Sequence, residues 1–189
     1  LGDLLSGPPH YFSHQEAGGL FNGALEPYTI VVLDAKAAAQ GAVTRQAVLD
    51  YVTNGGTLLF LGRYLGDESS RALTDWLGPL GIRIDTNLRA GQKPAVSGVS
   101  RILRYWKDFE VKEGCSIRAQ GNDAGGQDAV AVGDVACLAR EYGLGRIVLL
   151  ASSTPLETSA LARSPERIFA GELFSWLARA LVDFRDSDG

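Results

Sequence analysis

Long apolar runs and clusters of basic residues are both missing from this 189-residue sequence. A membrane-spanning helix needs about eighteen or more consecutive apolar residues, and the longest apolar runs here are the size of a strand. The formal net charge is -4 and the basic residues are scattered along the sequence, whereas proteins that bind nucleic acid or anionic membranes concentrate them on one surface. We therefore expect no nucleic-acid partner and no direct membrane insertion by this segment.

Cysteine and methionine are also scarce. Two cysteines, Cys115 and Cys137, are too few for a disulfide framework or for a zinc site with the usual ligand spacing. We interpret both as small buried residues, with a bridge between adjacent strands as the alternative. Methionine is absent and the sequence begins with Leu1, so we expect a processed or excised piece of a longer protein. Any anchor or signal peptide would lie outside it.

Histidine occurs only twice. His10 and His14 lie four residues apart without a third ligand, and we interpret both as surface or loop residues. The sequence thus predicts no metal site and no cofactor. With 46% hydrophobic and 21% charged residues, the composition is that of one globular domain over residues 1–189.

Strand and helix patterns alternate along the sequence, which predicts an α/β fold with a mainly parallel sheet and helices on both faces. Residues 28–34 and 57–62 are nearly continuous apolar runs, as parallel strands buried on both faces are. Between them, residues 42–56 place apolar side chains at helical spacing, with Thr44 as the predicted N-cap and two glycines at the end. This strand-helix-strand unit should be right-handed.

A second helix is predicted after residue 66. It has Asp67 as its candidate N-cap and ends at Pro79 and Gly81. Further along, residues 134–153 alternate and then become fully apolar around a glycine-rich turn. This pattern predicts a hairpin whose second strand joins the sheet.

The last predicted helix spans residues 164–184, with Ser164 as N-cap and Pro165 at the first helical position. Residues 85–134 are harder to assign, because the stretch 101–111 fits either a strand or a short helix. Whether this region forms a separate subdomain or extends the sheet stays open.

The turn after the second predicted strand carries the first functional signal. LGRYLGDE, residues 61–68, is similar to the Gly-x-Cys-x-Gly-His-Gln nucleophile elbow of class I glutamine amidotransferases, with Gly62 and Gly66 as the flanking glycines. Tyr64 stands where that family has its cysteine. A phenol, whose ordinary pKa is about 10, is a poor nucleophile for amide hydrolysis without a histidine partner.

The second half of that family's site is also altered. The family completes its triad with His-Pro-Glu after a late strand, and the matching stretch here is LASSTPLE, residues 150–157. Thr154, Pro155 and Glu157 occupy this region without a histidine. The resemblance therefore implies a degenerate amidotransferase-type site with no catalytic residues.

Longer phrases resemble the non-catalytic branch of the class I amidotransferase-like superfamily. They are LEPYTIVVLDAKAAAQGAVTRQAVLDYVTNGGTLLFLG, LGPLGIRI and LAREYGLGRIVLLASSTPL. Similar phrases occur in domains of gliding-motility auxiliary components, an intraflagellar-transport subunit and an uncharacterised bacterial membrane protein. The β-galactosidase trimerisation domain is similar in the same places, so the subfamily stays open.

This resemblance implies a doubly wound, flavodoxin-like sheet with a β-hairpin extension. It also implies a binding or scaffold role within a larger membrane-linked or multi-subunit assembly. The partners would be other protein subunits or the remainder of its own longer polypeptide. Placement on the extracytoplasmic or luminal side of a membrane is implied by the membrane-linked relatives alone.

Open α/β sheets bind ligands at the carboxyl ends of their parallel strands. The residues expected there are Asp34, Ala35, Gly62, Arg63, Tyr64, Gly66, Asp67, Ser152, Ser153, Thr154 and Glu157. Arg63 and Tyr64 would offer a guanidinium and a hydroxyl to a carboxylate or to a partner's backbone. The alternative is that Arg63 is solvated and Tyr64 fills the pocket.

Two other functions stay open. A hydrolase or transferase rebuilt around Tyr64, Glu157 and one histidine predicts a tyrosine with a perturbed pKa within hydrogen-bond reach of a base. Cys115 is a weaker nucleophile candidate, because it lacks a glycine elbow. A purely structural domain would instead associate through an exposed face, such as a sheet edge to which another polypeptide adds a strand.

Overall fold

The computed structural model describes residues 24–41, 43–63, 67–85, 115–119, 129–132 and 135–178. The strands are β1 (Ile30–Asp34), β2 (Thr57–Leu61), β3 (Ile82–Asp85), β4 (Ser116–Ala119), β5 (Ala129–Val132), β6 (Val135–Tyr142) and β7 (Gly145–Leu150). The helices are α1 (Ala35–Ala39), α2 (Arg45–Thr53), α3 (Asp67–Leu77), α4 (Thr158–Leu161) and α5 (Ser164–Leu177), with 3-10 turns at Gly78–Leu80 and Thr154–Leu156. None of these helices combines the length and the apolar character needed to cross a membrane.

Five strands form one sheet in the order β1-β2-β7-β6-β5. The first three are mutually parallel, while β6 runs antiparallel to both of its neighbours. The predicted α/β class is therefore confirmed, and the predicted hairpin is the β6–β7 pair. Strands β3 and β4 form a separate antiparallel pair. The region between β3 and β6 thus contributes both to the main sheet, through β5, and to the smaller sheet, through β4.

Helices contact both faces of β2. The Thr57 hydroxyl lies 3.5 Å from the carbonyl oxygen of Leu177 at the end of α5, and the ring of Phe60 lies 6.2 Å from that of Trp76 on α3. Because successive strand residues point to opposite faces, Thr57 and Phe60 mark opposite sides of the sheet. Sandwiched in this way, β2 and β7 are buried along nearly their whole length, as their apolar sequences predict.

Helix α5 runs against the direction of the parallel strands. Its last residue, Leu177, lies beside Thr57 at the start of β2, and the ring of Trp176 lies under the guanidinium of Arg146 at the start of β7, with 5.3 Å between the ring centre and the guanidinium carbon. A helix of 14 residues is about 21 Å long, which is roughly the length of the strands it covers. Its first turn therefore lies near the end of the sheet where the parallel strands finish.

Helix α2 ends at the amino end of the sheet, where the carbonyl oxygen of Thr53 accepts the N–H of Leu144 just before β7. Thr44 is its N-cap, as predicted, and accepts a hydrogen bond from the N–H of Ala47 at 3.2 Å. The apolar side chains that the sequence places at helical spacing, Val48, Tyr51 and Val52, are buried. Gly55 follows with φ of 107°, a left-handed value that favours glycine.

Two predicted helix starts are wrong by one residue. Arg163, not Ser164, is the N-cap of α5, because its backbone is extended and the helix begins at Ser164, with Pro165 second. Asp67 is the first helical residue of α3 rather than its cap. The predicted end at Pro79 and Gly81 is confirmed, since Gly81 adopts φ of 67° after the 3-10 turn. The last helix ends at Leu177 with Ala178 as its C-cap, earlier than the predicted end at residue 184, which itself lies outside the described residues.

Candidate functional site

The carboxyl ends of β1, β2 and β7 lie side by side. Asp34 pairs in register with Leu61, and Leu61 pairs with Leu150. The predicted crevice residues that follow these strands therefore lie along one edge of the sheet, here called the carboxyl edge. Tyr64 and Gly66 lie outside the described residues, and only the backbone of Asp67 is described.

Gly62 is held by a close backbone contact. Its N–H donates to the carbonyl oxygen of Leu150 at 2.7 Å, extending the β2–β7 ladder by one residue. A Cβ at this position would lie 2.7 Å from both that oxygen and the Sγ of Cys115, which is closer than Cβ atoms approach their neighbours. Close packing thus explains why the first position of the elbow-like turn is a glycine, independently of any chemical role of the turn.

Cys115 lies beside Gly62 at the same close contact. Its N–H donates to the carbonyl oxygen of Ala151 at 2.8 Å, and its Sγ lies 3.7 Å from the same oxygen. The residue is fully buried, and burial raises the pKa of its thiol to about 12. At neutral pH this group is a thiol rather than a thiolate, so it is not an activated nucleophile.

The two cysteines have different outcomes. The interpretation of Cys115 as a small buried residue is confirmed, and because it is a free thiol the bridge alternative is wrong. Cys137 lies on β6, where it pairs with Val130 and Leu150. Its side chain lies outside the described part of the structure.

The polar residues after β7 bond to one another. The fully buried hydroxyl of Ser152 lies 2.9 Å from the hydroxyl of Thr154 and accepts the Thr154 N–H at 3.1 Å. Ser153 lies 3.5 Å from the carboxylate of Glu157, which is exposed and precedes α4. Ser152 is therefore bonded to a second hydroxyl rather than to a base that could activate it.

Asp34 is also occupied structurally. It is the N-cap of α1, and its Oδ1 accepts the N–H of Lys36 at 2.8 Å. Ala35, the next predicted crevice residue, is fully buried as the first residue of that helix. One oxygen of this carboxylate thus already accepts a backbone hydrogen bond.

Arg63 differs from these neighbours. It follows Gly62 directly and is half-buried. Its guanidinium makes no hydrogen bond or ion pair with any residue that the structure describes. A guanidinium carries five donors in a planar fork and stays charged, so among the described residues of the carboxyl edge Arg63 is a charged donor that is available to bind an acceptor.

Glu166 was not predicted as a site residue. It lies in the first turn of α5 and is 4% exposed. One carboxylate oxygen pairs with Arg163 at 2.6 Å, and the other has no hydrogen-bond partner among the described residues. An acidic residue in a first helical turn is usual, because it complements the helix dipole. The position of Glu166 in the sequence therefore does not predict that its side chain is buried.

No group of three or more histidine, cysteine, aspartate or glutamate side chains suited to a metal occurs within the described ranges. His10, His14 and Tyr64 lie outside those ranges. The predicted arrangement of Tyr64, Glu157 and one histidine is therefore not tested by the described residues.

Comparison with solved structures finds the same fold elsewhere. The mmIFT52 N-terminal domain matches with a TM-score of 0.53 and 17% identity, over 81% of this protein and 78% of that one. Cytoplasmic protein STM1381 from Salmonella typhimurium LT2 matches with a TM-score of 0.54 and 16% identity, over 82% and 74%. No protein-family model and no curated protein sequence matches this protein. At these identities the likeness shows a shared fold.

Proposed function

We propose that this protein is a non-catalytic, class I amidotransferase-like domain that binds other subunits within a larger membrane-linked or multi-subunit assembly. The substitution of tyrosine and threonine in the two resembling motifs supports a lost active site. The fold likeness to the mmIFT52 N-terminal domain supports the kinship with an intraflagellar-transport subunit. A flavodoxin-like, doubly wound arrangement and an extracytoplasmic or luminal location belong to the same proposal and rest on the resemblance.

The observation that carries the proposal is the contrast between Arg63 and its neighbours. The groups that resemble nucleophiles are used internally, since the Cys115 thiol and the Ser152 hydroxyl are buried and bonded within the fold. The Arg63 guanidinium, by comparison, is half-buried and has no partner among the described residues. Among the described residues, the carboxyl edge thus offers a guanidinium for recognition, and this supports the proposal of a binding role.

A carboxylate is the acceptor that suits Arg63 best, because two parallel N–H groups match two carboxylate oxygens. Partial burial strengthens such a pair, because solvent screens it less than it screens a fully exposed pair. The proposal therefore assigns an acidic side group or the terminal carboxylate of a partner subunit to this position.

The test is co-purification of the assembly from native cells with tagged full-length protein. Arg63→Glu should reduce the recovery of co-purifying subunits about tenfold or more, since breaking a buried charge pair at an interface weakens binding by about 2–5 kcal/mol. Arg71→Glu is the matched control, because Arg71 is exposed on α3 and the charge change is identical.

Unchanged recovery with Arg63→Glu would reject Arg63 as the contact. Loss of recovery with both variants would indicate a general charge effect and would also reject it. The catalytic alternative, a site rebuilt around Tyr64 and Glu157, would show itself instead as a turnover that Tyr64→Phe removes.

A further inference from the structure

We draw no further inference here: the strongest candidate, the buried Glu166 side chain in the first turn of α5, has one carboxylate oxygen without a hydrogen-bond partner among the described residues, but that oxygen is closed off from solvent and nothing in the described part of the structure shows which group covers it.

Discussion

The hydroxyl of Tyr51 accepts a hydrogen bond from the backbone N–H of Thr57 at 3.1 Å. The same hydroxyl lies 2.9 Å from the carbonyl oxygens of Tyr28 and Thr29, to one of which it donates. One tyrosine of α2 thus ties the residues before β1 to the first residue of β2. Burial raises the pKa of this phenol to about 12, an effect that the hydrogen bond from Thr57 partly opposes.

Replacing Tyr51 by phenylalanine should destabilise the fold by about 1–3 kcal/mol, because the buried N–H of Thr57 and a part-buried carbonyl lose their partner. Urea unfolding followed by circular dichroism measures the change. Tyr142→Phe is the control, since that hydroxyl makes a long contact of 3.4 Å with Pro79 and is partly exposed. A Tyr51→Phe variant no less stable than Tyr142→Phe would show that the link contributes little.

Stability should also depend on pH in the alkaline range through Tyr51. The folded-state pKa, about 12, lies above the ordinary value of about 10, so the folded state holds this proton more tightly. The contribution is therefore fully present below pH about 10 and is lost as pH rises toward 12. Thermal unfolding from pH 9 to 12 should show the wild-type melting temperature falling more steeply than that of Tyr51→Phe. Parallel curves would contradict the assignment.

Much of the fold is predictable because its signals are local. The apolar runs of β2 and β7 and the Thr44 cap of α2 each depend on residues within a few positions. The separate β3–β4 pair was not predicted, because pairing between residues as distant as Ile84 and Ile117 leaves no local pattern.

The candidate site was predictable in position but not in detail. The carboxyl edge follows from the order of strands, and Arg63 was among its predicted residues. The contact between Gly62 and Cys115 was not foreseen, since it joins residues more than fifty positions apart. Burial of Glu166 likewise depends on how α5 packs rather than on its own sequence.

Gly62→Ala should destabilise the fold by about 1–3 kcal/mol, because the added methyl group meets the Leu150 carbonyl oxygen and the Cys115 sulfur. Gly78→Ala is the control, since nothing lies within 4 Å of a Cβ there. Chemical unfolding of both variants measures the difference. If both lose the same stability, the close approach at Gly62 is not the cause.

Arg163→Ala should destabilise more than an ordinary surface substitution, by about 1–3 kcal/mol, because it leaves the buried Glu166 carboxylate without its partner. Arg167→Ala, also an exposed arginine of the same turn, should change stability by about 0.5 kcal/mol or less. In the Arg163→Ala background, Glu166→Gln should recover part of the loss by removing the unpaired charge. No recovery would indicate that Arg163 acts through packing.

The most direct test of the central claim, that the carboxyl edge binds rather than catalyses, is ammonia release from glutamine by the purified protein. Wild type, Tyr64→Phe and the control Tyr142→Phe are compared at equal concentration. The account predicts that all three match the protein-free blank. Release by wild type and Tyr142→Phe that Tyr64→Phe abolishes would contradict it and assign amide hydrolysis to Tyr64.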